Sequence, residues 1–180
     1  HLVYCLVGER GREVEQAWRL LSSTQQRRPA TLVAAAADES PSMRVRAFEL
    51  AISLAEQGRQ AGQHVLLMVD AVTRVAMALR ELGIAAGEPP SARGYTANAF
   101  SQIPSQVERC GAARAGGAIT AVMSVLSETE DVDDPIVEMM KSILDGHIIL
   151  SRALAERRHF PAIDIARSVS RLAEAVSSPE

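Results

Sequence analysis

The stretch with the clearest capacity for chemistry is HVLLMVDAVTR, His64 to Arg74, where five apolar residues, Val65 to Val69, run into Asp70. A short unbroken apolar run of this kind suits a strand buried on both faces of a parallel sheet. A carboxylate at the carboxyl end of such a strand lies at the crevice where open α/β sheets bind ligands. There it can orient a metal ion, as the acidic residue of a nucleotide-binding strand does for Mg²⁺. On this stretch alone the plainer role for Asp70 is to cap the helix that starts near Val72, and the rest of the chain shifts the balance toward the ligand.

The chain around Asp70 is large enough to position it. It has 180 residues, 47% of them apolar, which is one domain of ordinary size with a real core. No apolar run is long enough to span a bilayer, and no signal or transit peptide is visible, although residue 1 is not Met. The net charge of −3 leaves no electrostatic footprint for nucleic acid, and 3% aromatics is too few for a base-stacking platform. Cys5 and Cys110 are the only cysteines; they have no zinc spacing and make no disulfide scaffold, so a reducing cytosol is the default.

Periodicity then assigns the elements. Leu2 to Val7 reads as a buried strand ending in the turn Gly8-Glu9-Arg10-Gly11, and Arg12 to Leu21 as a helix with Val14, Ala17, Trp18 and Leu21 on one face. Polar residues 22 to 29 break it, and Thr31 to Ala37 is a second strand. Ser40 or Ser42 caps a helix reaching about Gln60, before the central strand at Val65. Thr73 to Leu82 is helical. Gly83 to Tyr95, with three glycines and two prolines, reads as a long loop of the kind that is often functional. Asn98 to Cys110 holds a short helix interrupted near Pro104, and Ala118 to Leu126 is a strand. A solvated acidic loop, SETEDVDDP, leads to a helix starting at Asp134-Pro135. His147 to Leu150 is a short strand, Ser151 to Glu156 a helical turn or two, His159 to Ile165 turns at Pro161, and Arg167 to Val176 is helix or loop. This alternation predicts a parallel sheet with covering helices.

Four stretches together resemble one family: GERGREV (Gly8 to Val14), LLMVDAVTRVAMALRE (Leu66 to Glu81), GIAAGEPPSARGY (Gly83 to Tyr95), and ILDGHIILSR with HFPAIDIARSVSR (Ile143 to Arg171). In this order they resemble the catalytic domain of the flagellar and type III secretion export ATPases, relatives of the rotary ATP synthase α and β subunits. The resemblance covers about residues 2 to 173. It implies a RecA-like P-loop NTPase core, α/β, with a mainly parallel sheet flanked by helices. It further implies ATP and Mg²⁺ as cofactors and a homohexamer at the cytoplasmic base of a secretion apparatus, peripheral to the inner membrane. The implied partners are stator and central-stalk proteins, exported proteins and their chaperones.

By the same resemblance, Glu9 polarises the attacking water, a task that suits an ionised carboxylate accepting a hydrogen bond. Arg10 is the phosphate-side arginine and Glu13 a carboxylate near the metal. Asp70 holds Mg²⁺ through water, and Arg74 reaches the γ-phosphate with paired guanidinium donors. Arg171 is the arginine offered to the neighbouring subunit's nucleotide. Phe160 stands where relatives place a Tyr against adenine and keeps the stacking face. The AAGEPPSARGY loop faces the central pore.

One part of the pattern is missing. No G-x-x-x-x-G-K-[ST] occurs in these residues, and the one lysine, Lys141, lies in an expected helix away from any glycine loop. In the resembled family that motif precedes GERGRE, so residues 1–180 read as a partial RecA-like domain without the P-loop strand, the N-terminal barrel or the helical C-terminal domain. They are a piece of a longer ATPase, or a non-catalytic assembly module or remnant of one. The family's GYPPSVF is replaced by Gly94-Tyr95-Thr96-Ala97-Asn98-Ala99-Phe100, and an aromatic pair by Val122-Met123. A sheet without the P-loop strand is expected to expose strand edges and apolar surface. A triphosphate without the P-loop amides and lysine loses most of its binding donors. Residues 1–180 alone are therefore expected to give no measurable heat in a calorimetric titration with Mg-ATP; tight binding would refute this.

Overall fold

The structure, a computed structural model, describes residues 1–23, 29–114, 116–127 and 134–177. The expected polar break at 24–28, most of the acidic loop (128–133) and the last three residues lie outside the described residues. The chain divides into two compact units, His1–Val137 and Glu138–Glu180.

In the first unit the alternating pattern gives β1 (Leu2–Glu9), α1 (Gly11–Ser23), β2 (Ala30–Ala36), α2 (Pro41–Gln60), β3 (His64–Asp70) and α3 (Val72–Ala85). A 3-10 turn (Ala92–Gly94), α4 (Ala97–Val107), β4 (Gly111–Ala112) and β5 (Ala118–Met123) follow. The sheet order is β2-β1-β3-β5-β4, parallel except for the two-residue β4. Ser40 caps α2, its Oγ accepting from Met43 N at 3.3 Å, with Pro41 in the first turn, where its missing N–H costs nothing.

Most of the core lies on one face of this sheet, with Leu6 of β1 buried on the other. Val3, Cys5 and Val7 of β1, Val33 and Ala35 of β2, and Val65, Leu67 and Val69 of β3 are buried, as are Phe48, Ala51, Ile52 and Ala55 of α2 and Val75, Ala76 and Leu79 of α3. The Cys5 thiol donates to Ala47 O of α2, which fixes α2 on this face. The opposite face corrects the expectation of a strand buried on both sides. Leu66 is 39% exposed, Val122 52% exposed, and Met68 half-buried. An apolar run shows that a strand can be covered twice, whereas the packing of neighbours decides whether it is.

Three other expectations change. The helix after Asp70 continues to Ala85, so the loop is shorter than Gly83 to Tyr95. Helix α4 runs through Pro104 without interruption, because Ala99, Ile103 and Val107 bury one continuous stripe. Strand β5 ends at Met123 rather than Leu126, because Ser124 and Leu126 turn their backbone bonds to the β3–α3 junction.

The second unit carries the end of α5 (Pro135–Ile143), then β6 (Gly146–Leu150), α6 (Arg152–Glu156), β7 (Ile163–Ser170) and α7 (Ala173–Val176). Here the expected helix or loop at Arg167–Val176 is corrected: its first part is strand, and only Ala173–Val176 is helical. β6 does not extend the parallel sheet but pairs antiparallel with β7, Gly146 opposite Ser170 and Leu150 opposite Ile163. A bulge in this pair is bridged by Ser168, whose Oγ accepts from Ile149 N at 3.0 Å and donates to Asp164 O at 2.6 Å. The partner strand thus overrides the weak local signal of Ser168-Val169-Ser170.

The one-sided core predicts an asymmetry within β3. Leu67→Ala should cost about 2–5 kcal/mol in urea unfolding, and the adjacent Leu66→Ala less than about 1 kcal/mol.

Candidate functional site

Parallel pairing of β1 with β3 brings their carboxyl ends to one edge. Leu6 is the register partner of Asp70, and Glu9 follows three residues later. Between Leu6 and Glu9 the pairing of β1 with β2 shifts register at Gly8, whose φ of +75° is a left-handed conformation that glycine adopts without penalty. A Cβ at Gly8 would stand 2.9 Å from Cγ of Arg74, so the turn rests directly on that side chain's stem. The second constraint on position 8 is therefore steric and comes from α3.

Asp70 does not cap α3. The N-cap position is Ala71, without a side-chain cap, and the Asp70 carboxylate turns to the residue just past β5, where Oδ1 accepts from Ser124 Oγ at 2.5 Å. Arg74, in the first turn of α3, is half-buried, and its Nε is buried without a hydrogen-bond partner among the described residues. A buried guanidinium N–H left this way is a donor waiting for an acceptor.

The charges confirm that these groups share a site. Burial pushes the Glu9 carboxyl above its ordinary range, helped by its hydrogen bond with Glu13 and by the charges of Asp70 and Glu13; the Arg74 guanidinium opposes the shift. Glu13 is held low by that same hydrogen bond and by the Arg10 backbone N–H, which donates to Oε2 at 3.2 Å. The two glutamates are thus pushed in opposite directions, Glu9 up and Glu13 down. The Tyr4 phenol is pushed up by burial and then by the charges of Asp70 and Glu9. Arg10 itself is exposed, just ahead of α1.

Among the seven expected site residues, the first unit gathers Glu9, Glu13, Asp70 and Arg74, with Arg10 on the same turn. Phe160 and Arg171 belong to the second unit. There Phe160 is 72% exposed, with its ring free to stack. Arg171 is exposed too; its backbone N–H donates to Asp145 O at 2.7 Å and its Nη2 to Lys141 O at 3.1 Å. Sequence reasoning missed Ser124 and Tyr4. The signal for Ser124 was a hydroxyl ending the apolar run of a strand able to lie beside β3; Tyr4 gave none apart from its place two residues before Leu6. Cys5 is not part of this chemistry, since burial pushes its thiol up to about 12.

Among the described residues no three His, Cys, Asp or Glu side chains gather to hold a metal ion by themselves. The arrangement instead fits an ion that takes one or two carboxylates from protein and the rest of its shell from phosphate and water, which is how Mg²⁺ is commonly held. The orphaned Arg74 Nε fits the phosphate of the same ligand.

Comparison with known proteins gives the family. Residues 1–170 match the ATP synthase alpha/beta family, nucleotide-binding domain. The flagellum-specific ATP synthase of Salmonella typhimurium is 47% identical over 171 residues, covering 94% of this chain and 38% of the relative. The type 3 secretion system ATPase of Sinorhizobium fredii is 44% identical over 177 residues, covering 98% and 39%. Among solved structures, the assembled ATPase EscN from the enteropathogenic E. coli type III secretion system superimposes with a TM-score of 0.92 at 45% identity, covering 99% of this chain and 43% of that one. A prototypical ATPase from the type III secretion system of pathogenic bacteria gives 0.91 at 44% identity, covering 98% and 51%. The chain thus spans about two-fifths of the length of these curated relatives.

The raised Glu9 sets a pH test. Its native form prefers the proton, so ionising it costs stability as pH rises from the ordinary glutamate range through the native value. Glu9→Gln should therefore melt a few degrees higher than the unsubstituted chain at neutral pH. The difference should shrink toward zero when both are melted below the ordinary glutamate range.

Proposed function

Because this chain belongs to the ATP synthase alpha/beta family through its nucleotide-binding domain, we propose that it forms the acid- and arginine-bearing side of an ATP-hydrolysing site in a protein-export ATPase. The observation that carries the reading is the convergence of Glu9, Asp70 and an unpartnered Arg74 donor at one edge of the parallel sheet. The relatives named above, flagellar and type III secretion ATPases alike, support the export setting; the shared motifs do not separate the two.

In this reading Asp70 holds Mg²⁺ through water, and the metal supplies charge neutralisation at the phosphates. Arg74 donates to the γ-phosphate from a guanidinium already stripped of water at Nε, so the bond forms with little further desolvation cost. Glu9 accepts a hydrogen bond from the attacking water. Its raised proton affinity makes it a stronger base than an ordinary carboxylate, and Arg74 opposes that rise. Glu13 tunes Glu9 through their shared hydrogen bond, and Arg10 faces the phosphates from the same turn.

Phe160 stacks on adenine, and Arg171 reaches the nucleotide of the neighbouring subunit in a homohexamer. The loop from Ala86 to Tyr95 is the surface for the central stalk or exported protein. It is held in shape by Ser91, whose backbone N–H and Oγ both donate to Tyr95 O, at 2.7 and 2.8 Å. Stator proteins, exported proteins and their chaperones are the remaining partners, at the cytoplasmic side of the inner membrane. Among the described residues no helix is long and apolar enough to cross a membrane.

The reading is tested in the longest polypeptide expressed from the gene. Glu9→Gln should lower ATP hydrolysis by about 10²-fold or more while nucleotide binding persists. Arg171→Ala should lower it by about 10³-fold, and mixing that variant with unsubstituted subunits should restore part of the rate. Full activity in both variants would sink the assignment.

A further inference from the structure

The end of β5 is stitched to the β3–α3 junction by two hydroxyls. Ser124 N donates to Val69 O at 2.9 Å, and Ser124 O accepts from Val72 N at 3.0 Å, so the Ser124 backbone is fixed on both sides of Asp70. One turn into α3, the buried Thr73 repeats the device: its Oγ1 accepts from Leu126 N at 2.8 Å and donates to Leu126 O at 3.3 Å. With its backbone clamped, Ser124 keeps its χ1 torsion, which places Oγ, and the rotation of its hydroxyl, which places the proton. Val69 O at 3.4 Å and Asp70 Oδ1 at 2.5 Å both lie within reach of Oγ, and a hydroxyl has one proton to give. The short bond to a carboxylate is the stronger of the two, so the proton goes to Asp70.

We infer that Ser124 is a positioning residue for Asp70: by occupying Oδ1 it fixes the rotation of the carboxylate, leaving Oδ2 as the oxygen presented to the metal-bound water. The inference rests on the proposed nucleotide site and adds to it the group that aims its metal-side acid. The reason is geometric. A carboxylate at a strand end turns about its terminal torsion with little preference, and an outer-shell acid that turns loses its hold on ordered water. A fixed donor on the adjacent strand removes that freedom before the ligand arrives. Thr73 serves the backbone of the junction and does not touch the carboxylate, so the two hydroxyls have separable roles.

The test uses the longest polypeptide expressed from the gene, with ADP and Mn²⁺ as the probe, and reads Mn²⁺ affinity by electron paramagnetic resonance. Ser124→Ala should weaken Mn²⁺ by about tenfold, the low end of what losing a partner of a metal-side group costs. ADP affinity without metal should hold. Ser124→Thr, which keeps the hydroxyl, should stay within about twofold of the unsubstituted protein by the same scale. Melting curves in the absence of metal exclude a folding defect, and Ser124→Cys, similar in size but a weak donor, stands in if the alanine variant does not fold.

Loss of Mn²⁺ affinity in Asp70→Asn but not in Ser124→Ala or Ser124→Cys overturns this inference and leaves the site intact. Undiminished affinity in Asp70→Asn, or no metal-dependent binding by the unsubstituted protein, overturns the site reading and this inference with it.

Discussion

Everything at the candidate site depends on β1 and β3 pairing in parallel and in one register. Parallel pairing puts both carboxyl ends on the same edge, and the Leu6–Asp70 partnership sets how far each acid projects from it. A slip of one residue would invert the faces of either strand. Tyr4, Met68 and Asp70, each only partly buried, would then exchange places with the buried set Val3, Cys5, Val7, Val65, Leu67 and Val69. The penalty for burying Asp70 in that apolar layer is what holds the register, so the core and the site are specified by one alternation.

That alternation also explains why the sheet is fully packed under α2 and α3 on one face and only partly covered on the other, where Leu6 is buried while Leu66 and Val122 are exposed. The side under α2 and α3 is dry and tightly packed. The side that carries Leu66, Met68 and Val122 is partly exposed, and the acids stand at its carboxyl edge.

The electrostatics follow from crowding. Glu9, Glu13 and Asp70 are three carboxylates with one guanidinium, Arg74, set among them, and the result is unequal proton affinities rather than uniform ionisation. Glu9, the more desolvated, is pushed up; Glu13, held by the Arg10 amide, is pulled down. Gly8 makes this possible, since a side chain there would meet the stem of Arg74, the guanidinium that opposes the rise at Glu9. Folding accepts a local cost from packed like charges, which is common where groups are poised for chemistry.

The sequence by itself determined the elements and the roster of chemical groups. The apolar runs ending in Glu9 and Asp70, the Ser40 cap, and the spacing from Asp70 to Arg74 are local features, and local propensity sets them. It also carried the family pattern, through motifs whose order is as informative as their residues. Tertiary structure decided what depends on neighbours distant in the chain. Asp70 could cap a helix or face a ligand until Ser124, on another strand, took one of its oxygens. The run Val65 to Val69 could be covered once or twice until the helices chose a face. Ser168-Val169-Ser170 became strand because β6 lay beside it. In each case competing local states were nearly equal in energy, and a contact across many residues settled them.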